Sequence, residues 1–96
     1  MVLVRNVFRA KYGKGDQLLD IFKSAASMWP AESKTRLMTD LSGPFFTLVM
    51  EFEVVSLSAW ETMQAELFRQ PEFGAWFSQS ESLVKSGRRE FYTIVK

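Results

Sequence analysis

The sequence predicts an α+β fold in which a four-stranded antiparallel sheet carries helices on one face. Three observations lead to this prediction. Apolar residues alternate with a period of two along four segments, they recur at helical spacing in two regions between them, and the order is β-α-β-β-α-β. With 96 residues, 47% of them hydrophobic, the chain suffices for a single domain over residues 1–96.

The first strand is predicted over residues 2–11, where both alternating rows contain apolar side chains, as in a strand covered on both faces. A glycine-containing turn follows, and Asp16 is the expected N-cap of the first helix. The helix is expected to continue to Pro30, because proline is typical of a helix end. Its apolar face consists of residues at helical spacing: Leu18, Phe22, Ala25 and Trp29.

A hairpin is predicted next, with strands over residues 35–41 and 45–55 joined by a turn at residues 42–44. One face of the second strand is apolar throughout: Phe46, Leu48, Met50, Phe52 and Val54. This row is expected to pack against the helices, because alternate residues of a strand point to the same face of the sheet.

The second helical region is expected to begin at Ser58, which has capping-box spacing to Glu61. Pro71 suits the first position of a further short helix. Apolar residues continue at helical spacing along both segments: Trp60, Met63, Leu67, Phe68, Phe73, Trp76 and Phe77. Gly87 is expected to end this region, and the last strand is predicted over residues 89–95.

This order is the ferredoxin-like βαββαβ arrangement, in which right-handed crossovers place the first and third strands at the centre of the sheet. The sheet face away from the helices is left uncovered within the chain, yet it mixes apolar residues such as Val7 and Val49 with charged ones. Such a surface is typical of a protein interface, so we expect a homodimer. The residues expected at the dimer face are Arg5, Arg9, Phe45, Glu51 and Glu53.

The two glutamates of this face, Glu51 and Glu53, lie two apart on one strand and could chelate a hard cation. Cross-strand ion pairs with Arg5 and Arg9 account for all four residues without a metal. The chain also contains no histidine and no cysteine, which excludes Ser-His-Asp and Cys-His catalysis and thiolate or imidazole zinc sites. We therefore expect neither a metal nor a cofactor.

Charge and hydropathy argue against nucleic-acid and membrane partners. The net charge is +1, and the only tight basic group, formed by Lys85, Arg88 and Arg89, is expected to be a solvated turn. No apolar run approaches the roughly 20 residues of a membrane helix. The first residues lack the pattern of a secretory leader, and with no cysteine present we expect a cytoplasmic protein.

The order of elements, together with residues 4–14 (VRNVFRAKYGK) and 67–77 (LFRQPEFGAWF), resembles the dimeric α/β barrel superfamily. Within it the chain is most similar to NIPSNAP-type domains and to antibiotic-biosynthesis monooxygenase-like domains. The resemblance implies paired sheets that form a barrel at a dimer interface. In enzyme members it also implies a ligand cleft between the sheet and the helices.

Asn6 is the lone polar side chain in the helix-facing row of the first strand. It either bonds a backbone group or a buried water, which is the simpler interpretation, or it serves a ligand. The resemblance favours the second role, since an asparagine at the equivalent place faces the substrate cleft in haem-degrading and quinone-forming relatives. Haem degradation needs a helical histidine, which this chain lacks.

Aromatic residues are the other candidates for a cleft. At helical spacing they are typical of a core, but some of them could line an apolar pocket with Asn6. Trp60 and Trp76 are the candidates from the helices, and Tyr92 joins them if the last strand turns it inward.

Two functions follow from these observations. The first is a non-catalytic homodimer that binds a small apolar or aromatic molecule between the sheet and the helices. The alternative is a cofactor-independent monooxygenase-like enzyme that acts on an aromatic or quinol-type substrate, with the electron-rich ring of that substrate driving the chemistry. RNA-recognition domains share the βαββαβ order, but they require a basic start to the third strand. Here residues 42–44 (SGP) lead into that strand without Lys or Arg, and Glu51 and Glu53 would repel phosphate. We therefore do not expect RNA binding.

Overall fold

The computed structural model describes residues 1–96 and has the predicted order of strands and helices. The strands are β1 (Val2–Ala10), β2 (Arg36–Thr39), β3 (Thr47–Val54) and β4 (Val84–Thr93). The helices are α1 (Gly15–Ser24), α2 (Leu57–Arg69) and α3 (Pro71–Glu81), with two 3₁₀ turns between α1 and β2 at Ala26–Met28 and Ala31–Ser33. All strand pairs are antiparallel in the order β2-β3-β1-β4, so the α+β ferredoxin-like fold with β1 and β3 at the centre is confirmed.

The register of the sheet places one row of side chains across all four strands on the helix side. Asn6 on β1 lies opposite Arg89 on β4 and opposite Met50 on β3. Met50 in turn lies opposite Leu37 on β2. From β4 to β2, the row consists of two polar residues followed by two apolar ones: Arg89, Asn6, Met50 and Leu37. The core lies on this side of the sheet.

The core lies between the helix-facing side of the sheet and the three helices. Val4 on β1, Leu18 on α1 and Phe52 on β3 are its largest fully buried side chains. Leu67 on α2 and Phe73 on α3 complete it from the other helices. Because β1 and β3 contribute alternate residues to this layer, the helix-facing rows predicted from the alternation are confirmed.

The first helix is shorter at its end than predicted. Its N-cap position is Lys14, which makes no side-chain cap, and Asp16 lies in the first turn, where a carboxylate still interacts favourably with the helix dipole. The helix stops at Ser24, not at Pro30. At the stop, the Ala25 N–H donates to the Phe22 carbonyl at 3.2 Å, a three-residue bond that tightens the chain into the 3₁₀ turns.

The hairpin is also shorter than predicted, because its connection extends to Phe46. This residue has a positive φ of 60°, and the Thr47 N–H donates to the Asp40 carboxylate at 2.9 Å, which fixes the return of the chain. Phe45 therefore lies in the connection, 69% exposed, and its predicted place inside the strand is wrong.

The N-cap of the second helix lies two residues earlier than predicted. Ser56 is its N-cap, and the Oγ of Ser56 accepts a hydrogen bond from the Ala59 N–H at 3.1 Å. Ser58, the predicted cap, lies inside the helix. The third helix begins with Pro71, as predicted.

The last strand begins at Val84, so Gly87 lies inside a strand and does not end a helix. A register shift at Arg9 and Ala10 absorbs the extra residue next to the strand start. Gly87 lies opposite Phe8, and a Cβ at this position would lie 3.2 Å from the Phe8 ring. The three basic residues near the start of this strand are therefore part of the sheet and not of a solvated turn: Lys85, Arg88 and Arg89.

Candidate functional site

A cleft of about 300 Å³ opens between the sheet and the helices. Its wall is mainly aromatic and combines residues from β1, α1, α2 and α3: Phe8, Phe22, Phe68, Phe73, Trp76 and Phe77. An apolar cavity of this size with few polar groups is typical of a small-molecule site.

The aromatic wall is held together by ring contacts around Trp76. The centroid of its ring lies 4.9 Å from that of Phe22, 5.3 Å from that of Phe73 and 5.9 Å from that of Trp29. Phe22 also meets Phe8 edge to face at 5.1 Å. Such contacts fix the orientation of each ring, so the wall is formed before any ligand binds.

Five polar or charged residues line the cleft: Asn6, Gln64, Ser80, Glu81 and Arg89. Two of them, Asn6 and Arg89, are paired with each other. Arg89 donates from Nε to Oδ1 of Asn6 at 2.8 Å, and Asn6 is 5% exposed. The partner of the buried amide is therefore a side chain, and neither the backbone nor a buried water is required. Since Oδ1 faces Arg89, the Nδ2 amide of Asn6 is left as a donor without a protein partner.

Arg89 brings a positive charge to this apolar wall. Its guanidinium lies 5.0 Å from the centroid of the Trp60 ring, in cation–π contact. Partial burial lowers the pKa of Arg89, but an arginine remains protonated at neutral pH. No carboxylate forms an ion pair with it, and Glu81, which also lines the cleft, is exposed.

The structure brings together only some of the predicted site residues. Asn6 and Trp76 line the cleft, whereas Trp60 lies beside it, between Arg89 and Phe91. The Trp60 and Phe91 rings meet edge to face at 5.0 Å. Trp60 therefore contacts the guanidinium of Arg89 but does not line the cleft.

Tyr92 lies on the opposite face of the sheet, so its predicted place in the cleft is wrong. It is paired with Leu3, and its hydroxyl donates to Glu90 at 2.9 Å. The hydrogen bond to Glu90 raises the pKa of Tyr92. The register of β4 turns even-numbered residue 92 away from the helices, because Arg89 and Phe91 occupy the helix-facing row.

Sequence reasoning missed Arg89, although one signal was present. Arg89 and Phe91 are two apart, so a strand that turns Phe91 towards the helices must place Arg89 on the same face. Because the last strand is predicted to begin only at residue 89, the basic group that includes Arg89 is expected to form a solvated turn at the start of the strand.

The uncovered face of the sheet is organised around Glu51, which is only 2% exposed. Its two carboxylate oxygens accept hydrogen bonds from Arg5 and from Arg36, each at 2.6 Å. Burial alone would raise the pKa of Glu51, but the hydrogen bonds from Arg36 and Arg5 outweigh burial and lower the pKa. The predicted cross-strand ion pairing is confirmed for Arg5 and Glu51, and Arg36 is a second partner of Glu51 that the sequence analysis does not predict.

The predicted cross-strand ion pairs do not extend to Arg9 and Glu53. Arg9 lies opposite Thr47, at the far end of the strand from Glu53, whose nearest cation is Lys34 at 4.0 Å. The Nε of Arg9 is buried without a hydrogen-bond partner. The chain has no group of three or more carboxylates that could hold a metal ion, and none of its helices is long and apolar enough to cross a membrane.

No protein-family model and no curated protein sequence matches the chain. Among solved structures, an uncharacterised NIPSNAP domain protein from Burkholderia xenovorans has a TM-score of 0.89, with 16% identity over 99% of this chain and 95% of that chain. The chain shares the fold of NIPSNAP domain proteins.

The same fold extends to antibiotic-biosynthesis monooxygenase-like proteins. A proposed antibiotic biosynthesis monooxygenase from Chloroflexus aurantiacus has a TM-score of 0.76 and 16% identity, over 99% of this chain and 93% of that one. The cofactor-independent oxygenase SnoaB from Streptomyces nogalater has a TM-score of 0.72 and 15% identity, over the same shares of 99% and 93%. The resemblance predicted from the sequence is thus confirmed at the level of the fold, which does not by itself fix an activity.

Proposed function

We propose that this protein binds a small aromatic molecule in the cleft, with an electron-rich or anionic oxygen of that molecule facing Asn6 and Arg89. The observation that carries the proposal is the Asn6–Arg89 pair, which places two unused donor groups beside a mainly aromatic wall. The ring of the ligand would pack against Trp76 and Phe22, and its oxygen would accept hydrogen bonds from the pair.

The donor groups of Asn6 and Arg89 support an acceptor ligand. Arg89 and the Nδ2 amide of Asn6 can only donate hydrogen bonds. A partly buried guanidinium without a carboxylate partner has lost part of its hydration, which an anionic oxygen would replace through a charge-assisted hydrogen bond. A purely apolar ligand would form no hydrogen bond with either group.

The direct test is the binding of para-methylbenzoate, an aromatic carboxylate, measured by calorimetry. Arg89→Met should weaken binding at least tenfold (about 1.4 kcal/mol), because it removes the charge while keeping an unbranched apolar stem. Lys85→Met is the matched control, since it removes one positive charge from the same strand at a residue outside the cleft. Equal affinities in both variants, or no binding by the wild-type protein, would contradict the proposal.

A second candidate function is that of a cofactor-independent monooxygenase-like enzyme acting on an aromatic or quinol-type substrate. Its support is the fold shared with SnoaB together with the same donor pair, which would stabilise the phenolate form of a substrate. An electron-rich phenolate can react with dioxygen itself, so that one oxygen atom enters the ring, two hydrogens leave, and the second oxygen atom becomes water.

Oxygen uptake with a dihydroxynaphthalene tests this second function. The product expected is the hydroxynaphthoquinone, which has one more oxygen atom and two fewer hydrogens. The rate should exceed that of the uncatalysed reaction and should fall in Arg89→Met but not in Lys85→Met. A rate equal to the uncatalysed one would leave binding alone as the function of the cleft.

We also propose that two copies of the chain pair through the uncovered sheet face. The supporting observations are the half-buried Val49 and the exposed Met38, which are apolar and lie opposite each other on that face, and the buried Nε of Arg9, which has no partner within the chain. Pairing would cover these apolar side chains without touching the cleft, which lies on the other side of the sheet.

A further inference from the structure

A second cavity, of about 380 Å³, lies next to the cleft. Phe22, Trp29 and Met50 line both cavities, so these three side chains separate them. The other walls are mainly apolar and come from the 3₁₀ turns and β2: Ala26, Pro30, Ala31 and Leu37. Lys34 and Thr35 also line this second cavity and are its polar members.

The second cavity exists because α1 ends at Ser24. If the helix continued to Pro30, its last turns would follow the axis of α1. The two 3₁₀ turns instead lead the chain across towards β2. Trp29 lies between these turns in an extended conformation and is 8% exposed. Its ring thereby reaches Trp76 of the cleft wall on one side and faces the second cavity on the other.

The two cavities follow the row of residues that crosses the sheet. Arg89 and Asn6 belong to the cleft, Met50 to both cavities, and Leu37 to the second cavity. Neighbouring strands lie about 4.8 Å apart, so the row from β4 to β2 spans about 14 Å. Within this row the polar side chains are Arg89 and Asn6 at the cleft end, and the side chains at the other end, Met50 and Leu37, are apolar.

We propose that the ligand is an elongated amphiphile: an aromatic head with an acceptor oxygen at Asn6 and Arg89, and an aliphatic tail that passes Met50 into the second cavity. This inference rests on the proposed function of the cleft and adds the substrate class. Met50 suits the passage, because its unbranched thioether side chain adapts to irregular space. The apolar part of the wall of the second cavity, formed by residues such as Phe22, Trp29 and Leu37, suits a tail of about six or more carbons.

The test compares para-methylbenzoate with para-heptylbenzoate, which differ only in the length of the tail. Each buried methylene group strengthens binding about fourfold, so the longer probe should bind at least tenfold more tightly to the wild-type protein. Ala26→Phe and Ala31→Phe each place a ring in the wall of the second cavity. Both residues are exposed, and thermal unfolding checks that the variants fold.

In either variant the advantage of the longer probe should fall below threefold, while the affinity for para-methylbenzoate stays within twofold of the wild-type value. Ala65→Phe on α2 is the matched control, because this exposed residue lines neither cavity, and it should keep the full advantage. An advantage that persists in both cavity variants would overturn the inference but leave the proposed function intact. Failure of both probes to bind the wild-type protein would overturn both.

Discussion

Arg89 on β4 donates to Asn6 on β1 across 2.8 Å, which joins two residues that are 83 positions apart in the sequence. The bond gives the buried amide oxygen of Asn6 a partner, and it holds the Arg89 guanidinium at the edge of the cleft, beside the Trp60 ring. Oδ1 of Asn6 accepts the hydrogen bond from Nε of Arg89. Both side chains retain N–H groups that form no hydrogen bond within the chain. The pair is therefore a structural link of the sheet and a candidate binding group at once.

Replacement of Asn6 separates these two roles. Asn6→Ala leaves Arg89 without its acceptor inside the wall, so the free energy of unfolding should fall by about 1–3 kcal/mol. Asn6→Asp keeps an acceptor and adds an ion pair, so it should unfold closer to the wild-type protein. The new carboxylate also repels an anionic ligand and occupies Arg89, so Asn6→Asp should bind para-methylbenzoate at least tenfold more weakly.

Urea unfolding and calorimetry of the two variants provide the measurement. A stable Asn6→Asp that binds para-methylbenzoate like the wild-type protein would show that Arg89 does not hold the carboxylate. An Asn6→Ala variant with unchanged stability would show that the bond to Arg89 contributes nothing to the fold.

Glu51 should make the stability of the protein depend on pH. Its pKa is lowered in the folded state, below the ordinary value of 4.5, so its contribution is present above that value and is lost as the pH falls through the folded-state pKa. Glu51→Gln removes the charge that Arg5 and Arg36 share and should cost about 1.5–3 kcal/mol at pH 7. The difference between wild type and Glu51→Gln should shrink as the solution is acidified below the ordinary pKa.

Glu53→Gln is the control for this measurement. Glu53 lies 4.0 Å from Lys34, whose side chain is 74% exposed, so its loss should change stability by about 0.5 kcal/mol or less. Urea midpoints from pH 7 to pH 3 compare the variants. A difference between wild type and Glu51→Gln that stays constant with pH would mean that the two arginines do not stabilise the charged carboxylate.

Two glycines should respond to alanine in opposite ways. Gly74 lies inside α3 with open space around its Cβ position, so Gly74→Ala should raise stability by about 0.5–1 kcal/mol. Gly87 lies beneath the ring of Phe8, which an added Cβ would approach to 3.2 Å. Gly87→Ala must displace this ring, so it should lower stability by about 1 kcal/mol.

Thermal unfolding of both variants checks the contrast. Since Phe8 also lines the cleft, Gly87→Ala should in addition change the affinity for para-methylbenzoate, whereas Gly74→Ala should not. An equal gain in stability from both substitutions would show that the Phe8 ring moves freely away from Gly87.

The sequence predicted the order of the elements, the central strands and the helix-facing position of Asn6, because each depends on local periodicity. It did not predict Arg89 or the place of Tyr92, because the start of β4 depends on a register shift against Arg9 and Ala10. A shift of one residue exchanges the two faces of a strand, and no local pattern in residues 84–88 reports it.

The end of α1 at Ser24 was missed for a related reason. Apolar residues continue at helical spacing to Trp29, and the 3₁₀ turns preserve that spacing closely enough to bury the same side chains. The pattern therefore predicts burial correctly but not the path of the backbone. The second cavity is a consequence of that path, so it is visible only in the structure.

Pairing through the uncovered sheet face should be sensitive to a charge at its centre. Val49 lies on that face of β3, opposite Val7, and Val49→Lys should convert a dimer into monomers in sedimentation equilibrium, because a desolvated lysine without a partner is costly. Leu57→Lys is the matched control on α2, where the wild-type side chain is 53% exposed, and it should leave the assembly unchanged. The cleft lies on the other side of the sheet, so monomeric Val49→Lys should still bind para-methylbenzoate. A wild-type protein that sediments as a monomer at all concentrations would refute the pairing and leave the binding proposal to its own test.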